Sequence, residues 1–217
     1  MDTDALKNLA AQLGRPEGED GILVANNMHE TNIGMTRHAI AHLQVGDHNR
    51  ILELGHGNCG HLELLLSAGR NIAYHGLEIS ALMHREAQQL NREYTEQGRA
   101  VFGMYDGRKI PFPDAYFDRI FTVNTIYFWQ EPEKLLEELY RVLQPGGLLN
   151  ITFAHKDFMQ QLPFTHFGFT LYNTQDIELL AQSTAFRYTG AATHTETIQS
   201  KAGDTVDRTF STVTLSR

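Results

Sequence analysis

Apolar and polar positions recur along the chain with two periods, and each change of period marks a new element. Residues 3–13 put Ala5, Leu6, Leu9, Ala10 and Leu13 on one helical face, and Gly14 with Arg15-Pro16-Glu17-Gly18 ends that helix. The spacing predicts a second short helix over 20–27 and a third over about 33–45, with Ile33, Met35, Ala39, Ile40 and Leu43 on one side. Between them the polar run Met28-His29-Glu30-Thr31-Asn32 reads as a break. After the turn Gly46-Asp47-His48-Asn49, the run over 50–54 has the continuous apolar character of a buried strand. It passes into Gly55-His56-Gly57-Asn58-Cys59-Gly60-His61 and resumes as a helix through Leu62, Leu64, Leu65 and Leu66.

Strand and helix patterns then alternate. Strands are predicted at 71–78, 100–105, 116–123 and 148–153. Ser80 is placed to cap a helix through Leu82, Met83, Ala87 and Leu90. Pro132 opens a helix to about Leu143, and Pro145-Gly146-Gly147 forms a turn. Such alternation implies a parallel sheet covered on both faces. The tail changes character: after a helix near 174–183, residues 185–217 are rich in Thr, Val, Tyr and Phe. A turn at Lys201-Ala202-Gly203-Asp204 predicts a closing antiparallel hairpin. The expected fold is α/β, a Rossmann-like doubly wound sheet. It forms one domain over 1–217, with a helical N-terminal extension (1–49) packed on a core (50–217).

Composition narrows the partners. The 217 residues carry a net charge of −8 with no clustered Lys and Arg, which argues against a nucleic-acid partner. The only cysteine is Cys59, so no internal disulfide forms, in keeping with a reducing compartment. Met1-Asp2-Thr3-Asp4-Ala5 lacks the pattern of a secretory signal, and no apolar run approaches the roughly 20 residues of a membrane span. The expectation is a cytoplasmic monomer or homodimer acting on a small-molecule substrate.

A strand, a glycine turn and a helix start bring backbone N–H groups together, and the glycines admit a ligand without a Cβ in the way. Gly55, Gly57 and Gly60 match the Gly-x-Gly-x-x-Gly fingerprint, and Glu78 closes the next strand, where a carboxylate can accept from ribose hydroxyls. Nicotinamide or flavin cofactors and S-adenosylmethionine both fit this pattern. Glu53 favours the second, because a buried strand-end carboxylate suits an ammonium and repels a pyrophosphate. Asp106-Gly107, able to accept from an adenine amine, and the terminal hairpin point the same way.

Four segments carry a resemblance to a known family: 51–57, Gly76-Leu77-Glu78-Ile79-Ser80, Ile110-Pro111-Phe112-Pro113-Asp114-Ala115-Tyr116-Phe117-Asp118, and Arg141-Val142-Leu143-Gln144-Pro145-Gly146-Gly147-Leu148-Leu149. Together they resemble class I S-adenosylmethionine-dependent methyltransferases, closest to the ubiquinone/menaquinone-biosynthesis-like group. The resemblance implies strand order 3-2-1-4-5-7-6 with strand seven antiparallel. It also implies cofactor residues: Glu53 near the methionine ammonium, Gly55, His56 and Gly57 in the turn, and Glu78 on the ribose. Ile79 would lie on the adenine and Asp106 with Gly107 at its amine, while Asn124 and Thr125 would border the sulfonium. One departure stands out: the family repeats Gly-x-Gly-x-Gly, and Cys59 occupies the third glycine's place.

Catalytic candidates are Tyr127, His155 and His166, and Tyr127-Phe128-Trp129 fit an acceptor pocket as well as a core cluster. Met28, Glu30 and Asn32 are expected to face the ligand. No metal site is expected, since His56, Cys59 and His61 lie in the cofactor turn and His38 and His42 are expected to face solvent. Two other classes remain open: an NAD-dependent oxidoreductase and a non-catalytic S-adenosylmethionine-binding module.

Overall fold

The computed structural model describes residues 2–199 and 205–217. At its centre is a seven-stranded sheet of β1 (Arg50–Leu54), β2 (Ala73–Glu78), β3 (Ala100–Met104), β4 (Phe117–Val123), β5 (Leu143–Ala154), β6 (Arg187–Gln199) and β7 (Thr205–Ser216). Their order is β3-β2-β1-β4-β5-β7-β6, with β7 antiparallel to both of its neighbours and the first five mutually parallel. This is the order the resemblance implies. The predicted turn at 201–204 lies outside the described residues. Strand five is longer than its apolar run: the extended backbone begins at Leu143 and crosses Pro145-Gly146-Gly147, where the register against β4 shifts.

The helices are α1 (Thr3–Gly14), α2 (Gly18–His42), α3 (Leu62–Leu66), α4 (Ala81–Leu90), α5 (Arg92–Glu96), α6 (Pro132–Val142), α7 (Lys156–Met159) and α8 (Thr174–Gln182). Ser80 caps α4 as predicted, its hydroxyl accepting from the Met83 N–H at 3.2 Å. Beyond Arg50, β1 is buried without interruption because both sheet faces are covered. Ile51 packs on one face with Ala39, Leu43 and Leu62, whereas Leu52 and Leu54 pack on the other with Leu135, Leu136 and Leu139. Each such fully buried Leu or Ile contributes about 1.5–3 kcal/mol.

The two predicted helices over 20–27 and 33–45 are one helix. α2 runs unbroken for 25 residues. The polar run 28–32 does not interrupt it, because the helix and its neighbours satisfy these side chains: the Thr31 hydroxyl donates to the Asn27 carbonyl at 2.8 Å, and Asn32 accepts from Arg208 at 2.9 Å. The helix is fastened to the sheet by buried Asn150, whose amide donates to the Ala39 carbonyl (3.0 Å) and accepts from Thr214 (2.9 Å). His38 is also drawn onto the sheet, bonding the Thr212 hydroxyl at 2.9 Å and meeting Phe210 edge-on. It therefore does not face solvent as expected, whereas His42 does. No described helix is long and apolar enough to cross a membrane.

Candidate functional site

The carboxyl ends of β1, β2 and β4 open into a cavity of about 180 Å³, the edge at which sheets of this kind bind ligands. The turn from β1 to α3 forms its floor, with Gly55, Gly57 and Cys59 at φ of 70°, 57° and 52°. A Cβ on Gly55 would lie 2.3 Å from Thr125 Cγ2, while one on Gly57 would meet nothing within 4 Å, so the Gly57 backbone is open to a ligand. Cys59 adopts the left-handed backbone itself. Its thiol donates to the Tyr74 hydroxyl (3.2 Å), and its carbonyl accepts from Asn91 (3.1 Å), holding the turn where the family uses glycine. Gly60 serves packing: a Cβ there would sit 2.8 Å from the His29 ring of α2.

Two buried carboxylates flank the turn. Glu78 takes N–H bonds from Ile79 (2.8 Å), Ser80 (2.9 Å) and Gly57 (3.1 Å), so it ties the end of β2 to the glycine turn. Glu53 Oε2 accepts from the Tyr74 hydroxyl at 2.6 Å and pairs with His61 Nε2 at 2.9 Å. The argument that Glu53 needs a cationic ligand to be tolerated is thus corrected, because the chain supplies its own cation. Burial opposes a charge on His61, but Glu53 and Cys59 together, through charge and hydrogen bonding, outweigh it and hold the imidazole well above its ordinary pKa. Burial pushes the Tyr74 phenol up, with the neighbouring Cys59 and Glu53 adding to it. Ligand-type atoms of Glu53, Cys59 and His61 lie within 4.8 Å of one another, inside this hydrogen-bonded set.

Of the residues singled out from sequence, Glu53, Gly55, His56, Gly57, Glu78, Ile79, Gly107, Asn124 and Thr125 all line this cavity. His56 is buried; Nδ1 bonds the Gly57 carbonyl at 2.7 Å, while Nε2 has no partner among the described residues. Asp106 is not in the lining. It is exposed and accepts the N–H groups of Arg108 (2.9 Å) and Lys109 (2.8 Å), which fold the next loop. Asn124 ends β4 at φ 58°, and Thr125 accepts from the Trp129 indole at 3.1 Å.

The three catalytic candidates are not brought together. Tyr127 is buried; its hydroxyl donates to Asn124 Oδ1 (3.0 Å) and accepts the Ala154 N–H (2.7 Å), and burial raises its pKa. His155 bonds the Ser211 hydroxyl at 2.7 Å and His166 is exposed, and neither lines a cavity described here. From α2, Met28 and Asn32 reach the lining as expected, but exposed Glu30 does not. The sequence reasoning missed His29 and Tyr105, whereas Trp129, read there as pocket or core, and His61, placed in the cofactor turn, both reach the lining. A signal existed for part of this: Ala25, Met28, His29, Asn32 and Thr36 share one face of a continuous helix.

Comparison with known proteins matches residues 52–151 to a methyltransferase domain, which favours one of the two cofactor classes left open by the turn. The uncharacterized methyltransferase YdaC of Bacillus subtilis is 25% identical over 130 residues, covering 60% of this chain and 70% of that protein. The ubiquinone/menaquinone biosynthesis C-methyltransferase UbiE of Yersinia enterocolitica is 30% identical over 113 residues, covering 51% of this chain. The chain spans 45% of the length of that second relative. Among solved structures, a Haemonchus contortus phosphoethanolamine N-methyltransferase 2 holding phosphomonomethylethanolamine and S-adenosylhomocysteine superposes with a TM-score of 0.69 at 17% identity. That alignment covers 96% of this chain and 60% of the other, a likeness of fold.

Proposed function

Since the chain belongs to the class I S-adenosylmethionine-dependent methyltransferases, we propose that it methylates an oxygen, nitrogen or carbon nucleophile of a small molecule. One observation carries the reading: Glu53, Gly55, Gly57, Glu78, Ile79, Gly107 and Asn124, drawn from four strand ends, line a single cavity. The residues fit the cofactor. The Gly57 backbone is open, and the buried Nε2 of His56 awaits a partner. Bound there, S-adenosylmethionine supplies a methyl group on a sulfonium sulfur, which keeps the C–S electron pair as the acceptor's lone pair takes the carbon.

The chain's own part is positioning. Glu78, already fixed by three backbone N–H groups, is held ready for the ribose hydroxyls. Glu53 would face the methionine ammonium, sharing its charge with His61. Ile79 and Gly107 would flank the adenine, and Asp106 would reach its amine from the loop outside. Asn124 and Thr125 would border the transferred methyl group. Burial lowers the pKa of His29, leaving a neutral imidazole in the lining. Net charge of −8 and one buried cysteine support a reducing, cytoplasmic setting and an acceptor other than nucleic acid.

Isothermal titration tests the reading: S-adenosylmethionine and S-adenosylhomocysteine should bind and NAD should not. Absence of S-adenosylmethionine binding by the folded chain would overturn it.

A further inference from the structure

A second cavity of about 540 Å³ adjoins the first and shares Leu13, Met28, Asn32, Asn124 and Phe128 with it. That volume falls in the range of sites that enclose whole small molecules. Its far walls are hydrocarbon: Leu6 and Leu9 from α1, Phe158 and Leu162 after β5, Ile198 and Val206 from the hairpin. Among the described residues one charged side chain lines it, Arg208, and that charge is spent. Arg208 is buried, donating to Glu196 (2.6 Å), the Thr31 carbonyl (2.6 Å) and Asn32 Oδ1 (2.9 Å). A carboxylate or phosphate entering here would find no unpaired cation to repay its desolvation.

Amide groups gather where the two cavities meet. Arg208 occupies the Asn32 carbonyl oxygen, leaving its Nδ2 group to donate, and Asn124 Nδ2 faces only the weakly accepting Met35 sulfur at 3.3 Å. Tyr127 stands beside them, hydrogen-bonded to Asn124. The chamber is therefore polar at the cofactor end and apolar beyond it.

Resting on the methyl transfer read above, we propose that the acceptor is an uncharged amphiphile. Its hydrocarbon body fills the second cavity, and one small hydrogen-bond-accepting head lies at Asn32 and Asn124. Affinity then comes from the body, and the head sets which atom meets the methyl group.

A homologous series of 4-alkylphenols, from methyl to nonyl, tests this by titration into the full chain saturated with S-adenosylhomocysteine. Each added CH₂ should tighten binding about threefold to fourfold, the equivalent of ~0.8 kcal/mol. Leu162→Glu and Leu9→Glu line only the second cavity. Each should weaken 4-nonylphenol at least tenfold while holding S-adenosylhomocysteine within twofold. An affinity independent of chain length, no binding of 4-nonylphenol, or both variants binding it like the parent would overturn the proposal. If S-adenosylhomocysteine itself fails to bind, the methyltransfer reading falls, and the series run on the ligand-free chain still decides the chamber's chemistry. A variant that fails to melt cooperatively is replaced by Leu162→Asn, judged on the same two affinities.

Discussion

His61→Gln should cost the protein both stability and a pH dependence. The Nε2–Oε2 distance to Glu53 is 2.9 Å, and the two side chains are only 6% and 3% exposed. Breaking a buried pair by removing one partner costs roughly 3–5 kcal/mol. Tyr74 still donates to the same Glu53 oxygen, so the lower end, about 3 kcal/mol, is expected. For a chain of this size that is a fall in Tm of about 6–12 °C. The unfolded imidazole titrates near 6.5, whereas the folded one keeps its proton to higher pH. The native state therefore binds the extra proton between those values. This stabilisation is complete below pH 6.5 and declines as pH rises through the folded pKa, by at most about 1.4 kcal/mol per unit. Urea unfolding of both proteins at intervals from pH 6 to 9 measures it. A loss under about 1 kcal/mol, or a variant that keeps the parent's decline above pH 6.5, would refute the reasoning.

Glu78→Ala should weaken S-adenosylmethionine at least about tenfold and destabilise the fold by about 3 kcal/mol, because three backbone N–H groups lose one acceptor. A Kd within twofold of the parent would show that Glu78 is only structural. Gly55→Ala should cost at least about 2 kcal/mol from strained backbone and a clash with Thr125, and Gly57→Ala about 1 kcal/mol from backbone alone. Equal losses in thermal melts would discount the clash. On the acid side, burial lowers the pKa of His29, His38, His56, His75, His84 and His155. These groups take protons more readily when unfolded, so stability should drop as pH falls below 6.5. A flat profile from pH 6.5 to 5 would contradict that.

Local chemistry made much of the architecture readable in advance. The unbroken apolar run of β1, the Ser80 cap and the Thr-rich tail each stated its own structure. The strand order needed more than periodicity and came through the four motif segments. What stayed hidden depended on partners distant in sequence. The run 28–32 reads as a break until Arg208, more than 170 residues away, is seen to bind Asn32 and Thr31. Glu53 reads as a charge in want of a ligand until Tyr74 and His61 close on it. Cys59 reads as an anomaly until its thiol and carbonyl are seen bonded to Tyr74 and Asn91. Asp106 reads from sequence as bordering the ligand directly, and its place outside the cavity lining shows only once the N–H groups of Arg108 and Lys109 are seen to draw its carboxylate into the next loop.

One rod, α2, walls both chambers at once. It is rooted in the sheet through Ala39 and latched near its middle, where Arg208 grips Thr31 and Asn32. Ahead of the latch, the half that carries Met28 and His29 packs on α1 and, through Ala25, on Leu82 and Met83 of α4, away from the sheet, so cofactor exchange and acceptor entry should depend on the same lever. Occupancy of either chamber should therefore slow amide hydrogen exchange across residues 18–32 and leave 36–42 unchanged. Arg208→Lys, which keeps the charge but loosens the grip, should speed exchange in 18–32 and product release with it. Protection spread evenly along the rod would mean that the latch divides nothing.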